Sequence, residues 1–338
     1  MATQRNVRVV ITARGSSDVL KLVEDDLPVP GHGQVRVKNL ASGVAYADVL
    51  MRHGLYPKAP QFPFPPGYDI VGEIDALGED VRGFSTGQRV AALTMIGGYA
   101  QYTIIPAAHL VPVPADLDPA EAVSLVLNYV TAYQMLHRLG RLQFGQSILI
   151  HGAAGGVGTA ALQLGRLAGL RMFGTASKAK HDLVRSLGGT PIDYRSESFA
   201  ERIGQLAPEG LDGVFDPIGG KNWLTSYRCL RRGGTLACYG ASSAVATGKL
   251  SAGLGFALLG ILKLLPGDRR AYWYNVTNLR DKHPDWFRED LSKLFGLLAQ
   301  RQIEPVIAAK LPLREASQAN RLLEQAQVSG KIVLLPQA

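Results

Sequence analysis

The spacing of apolar residues divides the 338-residue chain into two kinds of region. Up to about residue 120, short runs of β-branched and aromatic residues are separated by turns rich in Gly and Pro. The predicted strands have the sequences VRVVITA, QVRVKNL, DIVGEIDALG, QRVAALT and YAQYTII. Short strands at close spacing, with few helices between them, indicate a compact and mostly β domain.

From about Ser124 onward, strands of a buried type alternate with amphipathic helices. The strands have the sequences SILIHG, RMFGTA, TPIDY, GVFDP and GTLACYG, separated by helical patterns of roughly 10–12 residues. Parallel strands need crossover connections of this length. The pattern therefore predicts an α/β fold with a doubly wound parallel sheet.

Beyond about Pro266 the chain forms a helix in WFREDLSKLFGLLAQRQIEP and ends with a helix and a strand in REASQANRLLEQAQVSGKIVLLP. We expect this last strand to rejoin the N-terminal β domain. The predicted division is one domain formed by residues 1–123 and 268–338, and an inserted domain formed by residues 124–267.

A glycine cluster, HGAAGGVG at 151–158, lies between the first strand of the alternating region and its helix. Its glycines and the small residues among them are Gly152, Ala154, Gly155, Gly156, Val157 and Gly158. Small residues let the backbone approach a pyrophosphate, and a helix N-terminus supplies free N–H groups. The cluster therefore predicts a dinucleotide site, and a tight turn that serves packing alone remains the alternative.

The end of the second strand indicates which dinucleotide. Enzymes that use NAD place Asp or Glu about 20 residues beyond the glycines, where the acid binds the ribose hydroxyls. This chain reads TASKAKHD there, with Ser177, Lys178 and Lys180 in place of an acid. A hydroxyl and cations suit the 2′-phosphate of NADP, which is the predicted cofactor. Lysines that merely open a surface helix are the alternative.

Composition and charge exclude several classes. The chain is 46% hydrophobic and 19% charged, which argues against disorder. Its net charge is +8, but Lys and Arg are scattered and lack interleaved aromatic residues, so no nucleic-acid partner is predicted. Two cysteines are too few for a disulfide framework, and the N-terminus lacks the apolar segment of a secretory signal. Both observations favour a cytoplasmic protein.

One apolar stretch, GLGFALLGILKLLP at 253–266, contains Lys263 and is shorter than the roughly 20 residues that span a bilayer. No stable membrane insertion is therefore predicted. Because the stretch is too apolar to remain exposed, we expect it to form a lid or the contact between the subunits of a homodimer. Peripheral membrane attachment is the remaining alternative.

Several motifs together resemble one family. NYVTAY at 128–133, HGAAGGVG, FGTAS, PIDY, DPIGG and the terminal SGKIVLLP are similar to the zinc-independent quinone oxidoreductase branch of the medium-chain dehydrogenase/reductases. Within that branch the chain looks most like the vesicle amine transport protein group. The resemblance covers nearly the whole chain, and the combination of motifs is specific where each alone is not. It implies a Rossmann domain that binds NADPH, inserted into a GroES-like β domain.

The resemblance also implies roles for individual residues around the cofactor. Thr131 would contact the nicotinamide amide, and residues 155–157 would line the pyrophosphate. Tyr239 and Gly240 would pass near the nicotinamide, and Lys331 would reach toward the cofactor. A surface position is the alternative for Lys331.

At the other end of the cofactor, the resemblance implies that Ser177, Lys180 and Tyr194 hold the 2′-phosphate. Packing at the strand end is the alternative for Tyr194.

No metal is predicted. Zinc alcohol dehydrogenases of the same superfamily carry ligands in GVCH and GHE sequences, whereas this chain reads GVAYAD at 43–48 and PGYD at 66–69. Ala45 has no ligand atom, and Tyr46 and Tyr68 are poor zinc ligands. Without a Lewis acid, a quinone or an activated C=C bond is the better substrate, because its own carbonyl accepts the developing charge.

The candidate catalytic residues are Tyr46, Asp48 and Tyr68. Tyr46 is the first candidate for orienting or protonating the substrate, with Asp48 as a candidate hydrogen-bond partner; Asp48 as the cap of a helix is the alternative. Relatives in this branch usually carry Asn at the position of Ala45, and some carry Tyr at the position of Leu50. Their loss favours bulky, apolar substrates.

The sequence therefore predicts an NADPH-dependent, metal-independent reductase of hydrophobic enones or quinones. A non-catalytic NADPH-binding adaptor and an RNA-binding protein remain alternatives from other classes.

Overall fold

The computed structural model describes residues 5–57 and 59–338. The chain divides into two compact units, the first formed by Met1–Val130 with Thr277–Ala338 and the second by Thr131–Val276. The second unit therefore begins and ends later than the 124–267 expected from sequence. Its later end has a clear cause, because the strand Arg270–Trp273 pairs with the sheet of the second unit.

The first unit is built mainly from strands. They are β1 (Arg5–Ile11), β2 (Leu20–Asp26), β3 (Gln34–Val44), β4 (Asp69–Leu77), β5 (Arg89–Leu93), β6 (Tyr102–Pro106), β7 (Val111–Pro112), β14 (Ile307–Pro312) and β15 (Lys331–Leu335). One sheet has the order β14-β15-β3-β4-β5-β7, with β6 paired to β3, while β1 and β2 pair with each other. Ile332 of β15 lies opposite Val44 of β3, so the end of the chain rejoins this unit, as the sequence predicts.

The helices of the first unit are α1 (Tyr46–Arg52), α2 (Pro119–Ser124), α10 (Pro284–Ala299) and α11 (Ala316–Glu324), and α9 (Val276–Lys282) begins at its boundary. α1 starts after Ala45 because the carboxylate and the N–H of Asp48 bond to the N–H and the carbonyl of Ala45. This reciprocal arrangement satisfies groups that a helix start leaves without partners. Asp48 thus does contribute to the start of a helix, which begins at Tyr46.

The second unit holds a parallel sheet. Its strands are β8 (Ser147–His151), β9 (Arg171–Ala176), β10 (Gly189–Asp193), β11 (Leu211–Asp216), β12 (Leu230–Cys238) and β13 (Arg270–Trp273). Their order is β10-β9-β8-β11-β12-β13, and neighbours run parallel. The predicted α/β class is confirmed. The order of strands reverses between β8 and β11, and open α/β sheets bind ligands at the carboxyl ends of strands at such a point.

Helices cover this sheet, which is why all five residues of β8 are buried. These helices are α4 (Gly156–Leu167), α5 (His181–Ser186), α6 (Phe199–Leu206), α7 (Lys221–Arg228) and α8 (Ala244–Leu264), and the short helix α3 (Val130–Tyr133) lies at the boundary of the unit. Trp223 of α7 is fully buried in a cluster with Phe173, Leu236 and Leu259. This core fixes the strands whose ends carry the predicted site.

The apolar stretch at 253–266 belongs to α8, which has 21 residues and is long and apolar enough to cross a membrane by those two measures. The helix is therefore longer than the apolar stretch that the sequence delimits. However, Gly248 has φ 80° and interrupts the helical backbone. The remaining uninterrupted part, 249–264, extends about 24 Å at 1.5 Å per residue, less than the roughly 30 Å of a hydrocarbon core.

One face of α8 packs on its own unit and the other is exposed. Leu259 and Leu262 are buried, whereas Leu250 is 80% and Leu264 is 85% exposed. The exposed apolar positions repeat at intervals of four and three residues, at Leu250, Leu254, Ala257, Ile261 and Leu264. This spacing is typical of the seam between two packed helices.

Candidate functional site

The glycine loop connects the carboxyl end of β8 to the first turn of α4. Gly152 adopts φ +63°, and a Cβ on Gly158 would lie 2.3 Å from the Gly152 carbonyl oxygen, so both positions require glycine. Gly155 precedes α4 and caps it without a side-chain acceptor. The first N–H groups of the helix have no intrahelical acceptor and carry a partial positive charge. The loop therefore presents a binding site for an anion.

Cationic and hydroxyl side chains lie at the ends of the next two strands. Ser177 follows β9, and Tyr194 and Arg195 follow β10. Because β9 and β10 are parallel neighbours, these residues share one edge of the sheet. Burial, together with the nearby Arg195 guanidinium, lowers the pKa of Lys180, so two cations lie close to each other here. Paired cations of this kind suit a phosphate monoester.

The acidic residue at this edge of the sheet, Asp193, forms hydrogen bonds within the turn that follows it. Asp193, the last residue of β10, accepts the Arg195 N–H at 3.1 Å and the Ser196 hydroxyl at 3.0 Å. The turn places the Arg195 guanidinium over the Tyr194 ring, 5.8 Å from its centroid. Sequence reasoning did not single out Arg195, although its position directly after Tyr194 at a strand end was a usable signal.

Tyr239 and Gly240 follow β12 at the same edge of the sheet. A Cβ on Gly240 would lie 2.9 Å from the Pro217 carbonyl oxygen, so a glycine lets this loop pack on the loop that follows β11. Thr131 is buried in α3 and belongs to no strand-end loop. The structure thus gathers the glycine loop with Ser177, Lys180, Tyr194, Tyr239 and Gly240 along one edge.

In the first unit, Asp48 is completely buried and bonds to the scaffold. Its carboxylate accepts the Ala45 N–H at 2.9 Å, the Gly67 N–H at 3.1 Å and the Tyr99 hydroxyl at 2.9 Å. Burial raises the pKa of Asp48 to about 6, although these hydrogen bonds oppose the rise. The structure thus differs from the predicted pairing of Asp48 with Tyr46. The Asp48 carboxylate instead connects the start of α1, the loop before β4 and Tyr99.

Tyr68 is also buried, and its hydroxyl lies 2.7 Å from the hydroxyl of Tyr56. Burial and the neighbouring Tyr56 raise the pKa of Tyr68, while a hydrogen bond from Thr277 acts in the opposite sense. Tyr68 therefore keeps its proton at neutral pH and shares it with Tyr56, whose side chain is partly exposed. Sequence reasoning named Tyr68 as a candidate and left Tyr56 among the general polar groups.

Tyr46 is the first residue of α1 and is partly exposed. Burial and the Glu324 carboxylate raise the pKa of Tyr46, so it too is protonated at neutral pH. Glu324 is held in place by Arg52 and His53, each with a nitrogen 2.6 Å from one of its oxygens. Tyr46 therefore carries a protonated, partly exposed side chain at the first position of α1.

Lys331 does not lie at the surface. Its Nζ lies 2.9 Å and 3.1 Å from the two carboxylate oxygens of Asp69, and both side chains are buried. The ammonium group pairs with the Asp69 carboxylate, and its reach toward a cofactor stays a prediction. A Cβ on Gly43 would come within 2.4 Å of both side chains, so the strand between them needs its glycine.

Zinc does not fit the residues that are present. Throughout residues 5–57 and 59–338, no group of three His, Cys, Asp or Glu side chains is placed to hold a metal ion. The positions that would supply ligands carry Ala45, Tyr46 and Tyr68, and none of these offers a thiolate, imidazole or carboxylate.

Comparisons with known proteins agree with this architecture. Residues 31–115 match the alcohol dehydrogenase GroES-like domain, and residues 187–334 match the zinc-binding dehydrogenase family. A synaptic vesicle membrane protein VAT-1 homolog from Danio rerio is 33% identical over 96% of this chain and 69% of its own length. A quinone oxidoreductase from Pseudomonas aeruginosa is 33% identical over 97% of this chain and 99% of its own.

A solved structure extends the similarity to the whole fold. The quinone oxidoreductase of Escherichia coli, complexed with NADPH, has a TM-score of 0.88 and 26% identity to this chain. The match covers 98% of this chain and 100% of that one.

Proposed function

The chain belongs to the medium-chain dehydrogenase/reductase superfamily of oxidoreductases, close to VAT-1 homologues and quinone oxidoreductases, and we propose the reaction that it catalyses. It is an NADPH-dependent, metal-independent reductase of quinones or α,β-unsaturated carbonyls. The main support for the proposal is the position of the glycine loop. It follows β8, where the order of strands reverses toward β11, and cationic residues follow the neighbouring strands β9 and β10. Bound NADPH would supply a hydride from its nicotinamide to the electrophilic carbon of the substrate.

The residues of the second unit fit this cofactor. The N–H groups at the start of α4, from Gly156 and Val157, are assigned to the pyrophosphate. Ser177, Lys180 and Tyr194 are assigned to the 2′-phosphate, with the Arg195 guanidinium as a further partner. Charge-assisted hydrogen bonds contribute about 1.5–3 kcal/mol each, so a preference of tenfold or more for NADPH over NADH follows.

Three further residues are assigned to the nicotinamide end by family resemblance, namely Thr131, Tyr239 and Gly240. The same resemblance assigns Lys331 to the cofactor, and the ammonium group of Lys331 also pairs with the buried Asp69 carboxylate.

The substrate class follows from the donor set around residues 45–68. Among the described residues no group of His, Cys, Asp or Glu side chains is placed to bind a metal, and Ala45 has no polar group that could polarise a saturated alcohol. A conjugated carbonyl needs less help, since its own oxygen takes up the negative charge that develops on hydride addition. Hydrophobic enones and quinones are therefore the proposed substrates.

The proton that completes the reduction comes from a tyrosine hydroxyl in this proposal. Tyr46 remains the first candidate, because its side chain is partly exposed and its hydroxyl stays protonated at neutral pH. Asp48 acts only through the scaffold that it holds. The Tyr56–Tyr68 pair is the second candidate, because Tyr68 can replace a proton that Tyr56 gives away.

The exposed face of α8 supports a homodimer. Its apolar residues repeat at intervals of four and three, and such a row is complementary to the same row on a second copy. Light scattering of the purified protein should report the mass of two chains; the mass of one chain would contradict the proposal.

The reaction is tested by following NADPH oxidation with a panel of quinones and hydrophobic enones, beside a parallel assay of simple alcohols with NADP. We expect turnover with the first group and negligible oxidation of the second. If NADPH binds tightly but no member of the panel is reduced, the protein is a non-catalytic NADPH-binding adaptor.

A further inference from the structure

A buried histidine lies directly beneath the glycine loop. His151 is the last residue of β8, and only 2% of its surface is exposed. Its Nδ1 lies 3.1 Å from Oγ1 of Thr175 on β9, and its Nε2 lies 3.0 Å from Oγ of Ser226 on α7. The His151 ring packs nearly perpendicular to the Phe199 ring, with the centroids 4.6 Å apart. Both ring nitrogens are therefore engaged within the protein.

The direction of these hydrogen bonds is set at Asp216, the last residue of β11. One carboxylate oxygen accepts the Ser226 hydroxyl at 2.7 Å and the Asn222 amide at 2.7 Å. The other accepts the N–H of Ile218 at 2.8 Å and of Gly219 at 3.4 Å. Four donors occupy the two oxygens, so the carboxylate acts only as an acceptor and takes the single hydrogen of Ser226.

The rest of the chain of bonds then has one consistent direction. Since the Ser226 hydrogen points at Asp216, the Ser226 oxygen must accept a hydrogen from Nε2 of His151. A neutral imidazole has one N–H, so Nδ1 is an acceptor and takes the hydroxyl hydrogen of Thr175. Burial lowers the pKa of His151, against the opposite influence of Asp216, and this favours the neutral ring.

The series of hydrogen bonds that begins at Asp216 ends on the glycine loop. With its own hydrogen directed at His151, the Thr175 oxygen accepts the N–H of Gly152 at 3.2 Å. The Gly152 carbonyl in turn accepts the N–H of Gly155, at 2.9 Å, at the start of α4. The orientation of Gly152 therefore sets the orientation of the peptide groups that begin the anion site.

We propose that His151 is a positioning residue, which transmits the fixed orientation of Asp216 to the N–H of Gly152 and holds the loop ready for the dinucleotide pyrophosphate. The inference rests on the proposed function for its ligand, whereas the bond directions are a property of the protein without ligand. This series of hydrogen bonds links the ends of β8, β9 and β11. The order of strands reverses between β8 and β11, and β9 is the neighbour of β8.

The first test uses the protein without cofactor. Nitrogen-15 NMR of the ring should show His151 neutral at pH 7 with its hydrogen on Nε2, and Thr175→Val should raise the exchange rate of the Gly152 amide hydrogen at least tenfold. A hydrogen on Nδ1, a doubly protonated ring, or an unchanged exchange rate in the variant would overturn the proposal.

The second test measures the dissociation constant of NADPH by fluorescence. Thr175→Val, which removes the hydroxyl without changing the shape of the side chain, should weaken binding about tenfold, equivalent to one lost hydrogen bond. Thr175→Ser restores the hydroxyl and should stay within threefold of the parent. Equal constants for Thr175→Val and the parent would refute the positioning role.

Two more variants secure the result. Ser226→Ala removes the oxygen on α7 that accepts the Nε2 hydrogen of His151. This variant should weaken NADPH binding severalfold, and it provides a test even if Thr175→Val fails to fold. Ser147→Ala is the matched control, because Ser147 is buried at the opposite end of β8 and donates to Asp212. It should leave NADPH affinity unchanged; a loss equal to that of Ser226→Ala would mean general destabilisation. A parent protein that fails to bind NADPH would refute the proposed function, while the NMR result would still decide the bond directions.

Discussion

Nζ of Lys331 lies 2.9 Å from Oδ2 of Asp69, and the two side chains are 3% and 0% exposed. Burial raises the pKa of Asp69, and the Lys331 ammonium opposes that rise more than any other group. The N–H of Leu127 also bonds to the Asp69 carboxylate. The pair joins β15 to β4 across β3, so it ties the end of the chain to the middle of the sheet.

Lys331→Met should lower the free energy of unfolding by about 3–5 kcal/mol, because it leaves the Asp69 carboxylate buried without its cation. Urea unfolding measures this loss. Lys310→Met on the adjacent strand β14 is the control, since Lys310 makes an exposed pair with Asp118 and should cost at most about 1 kcal/mol. The account of Lys331 fails if the two variants lose the same amount.

Asp48 should make stability depend on pH between about 4 and 6. The pKa of Asp48 is about 6 in the folded chain, above its ordinary 3.8, so the folded chain holds this proton more tightly than the unfolded one. Its stabilising effect is complete below about 4 and is lost as the pH rises through about 6, a change of roughly 3 kcal/mol.

Asp48→Asn keeps an oxygen acceptor and cannot ionise, so it should lack this part of the pH dependence. The comparison is a series of urea unfolding curves at pH 4, 5, 6 and 7 for both proteins. We expect the parent to lose stability relative to the variant as the pH rises, and a constant difference would contradict the role of burial at this site.

The cations after β9 and β10 should decide the choice of cofactor. Lys180→Glu and Arg195→Gln should each raise the dissociation constant of NADPH at least tenfold. The dissociation constant of NADH should stay nearly unchanged, because NADH lacks the 2′-phosphate. Isothermal titration with both dinucleotides gives the ratio. The control is Lys249→Gln, an exposed lysine on α8. Equal affinities of the parent for NADPH and NADH would remove the basis of the assignment.

Tyr46→Phe should lower kcat by about 10²-fold and leave the NADPH dissociation constant unchanged if Tyr46 gives its proton in the rate-limiting step. Tyr56→Phe is the matched variant from the same region of the first unit. Stopped-flow measurement of NADPH oxidation compares the two. A large loss in Tyr56→Phe alone would transfer the role to the Tyr56–Tyr68 pair, and no loss in either would mean that solvent supplies the proton.

Much of the fold could be predicted because local pattern and tertiary environment agree. The alternating segments correctly predict the parallel strands from β8 to β12, most of whose residues are buried. The pattern misses β13, since its four residues, Arg270–Trp273, become a strand only by pairing with β12. It also underestimates α8, because Gly248 separates its first turn from the apolar run in sequence.

The site could be predicted in part for a similar reason. Gly152 and Gly158 have local conformational needs that a sequence displays. Asp48 bonds to Tyr99, and Lys331 pairs with Asp69. Both partners are distant in sequence, so no spacing pattern could predict them. A histidine between a buried strand and a glycine loop was visible, but its role required the positions of residues on other elements.

Hydride transfer to an activated carbonyl compound can be followed with NADPH deuterated at C4 of the nicotinamide. After a single turnover with a hydrophobic enone, mass spectrometry and NMR locate the deuterium. We expect one deuterium on the carbon β to the carbonyl and a solvent-derived hydrogen on the α carbon. A reduced product without deuterium, or tight binding of NADPH with no product from any enone or quinone, would contradict it.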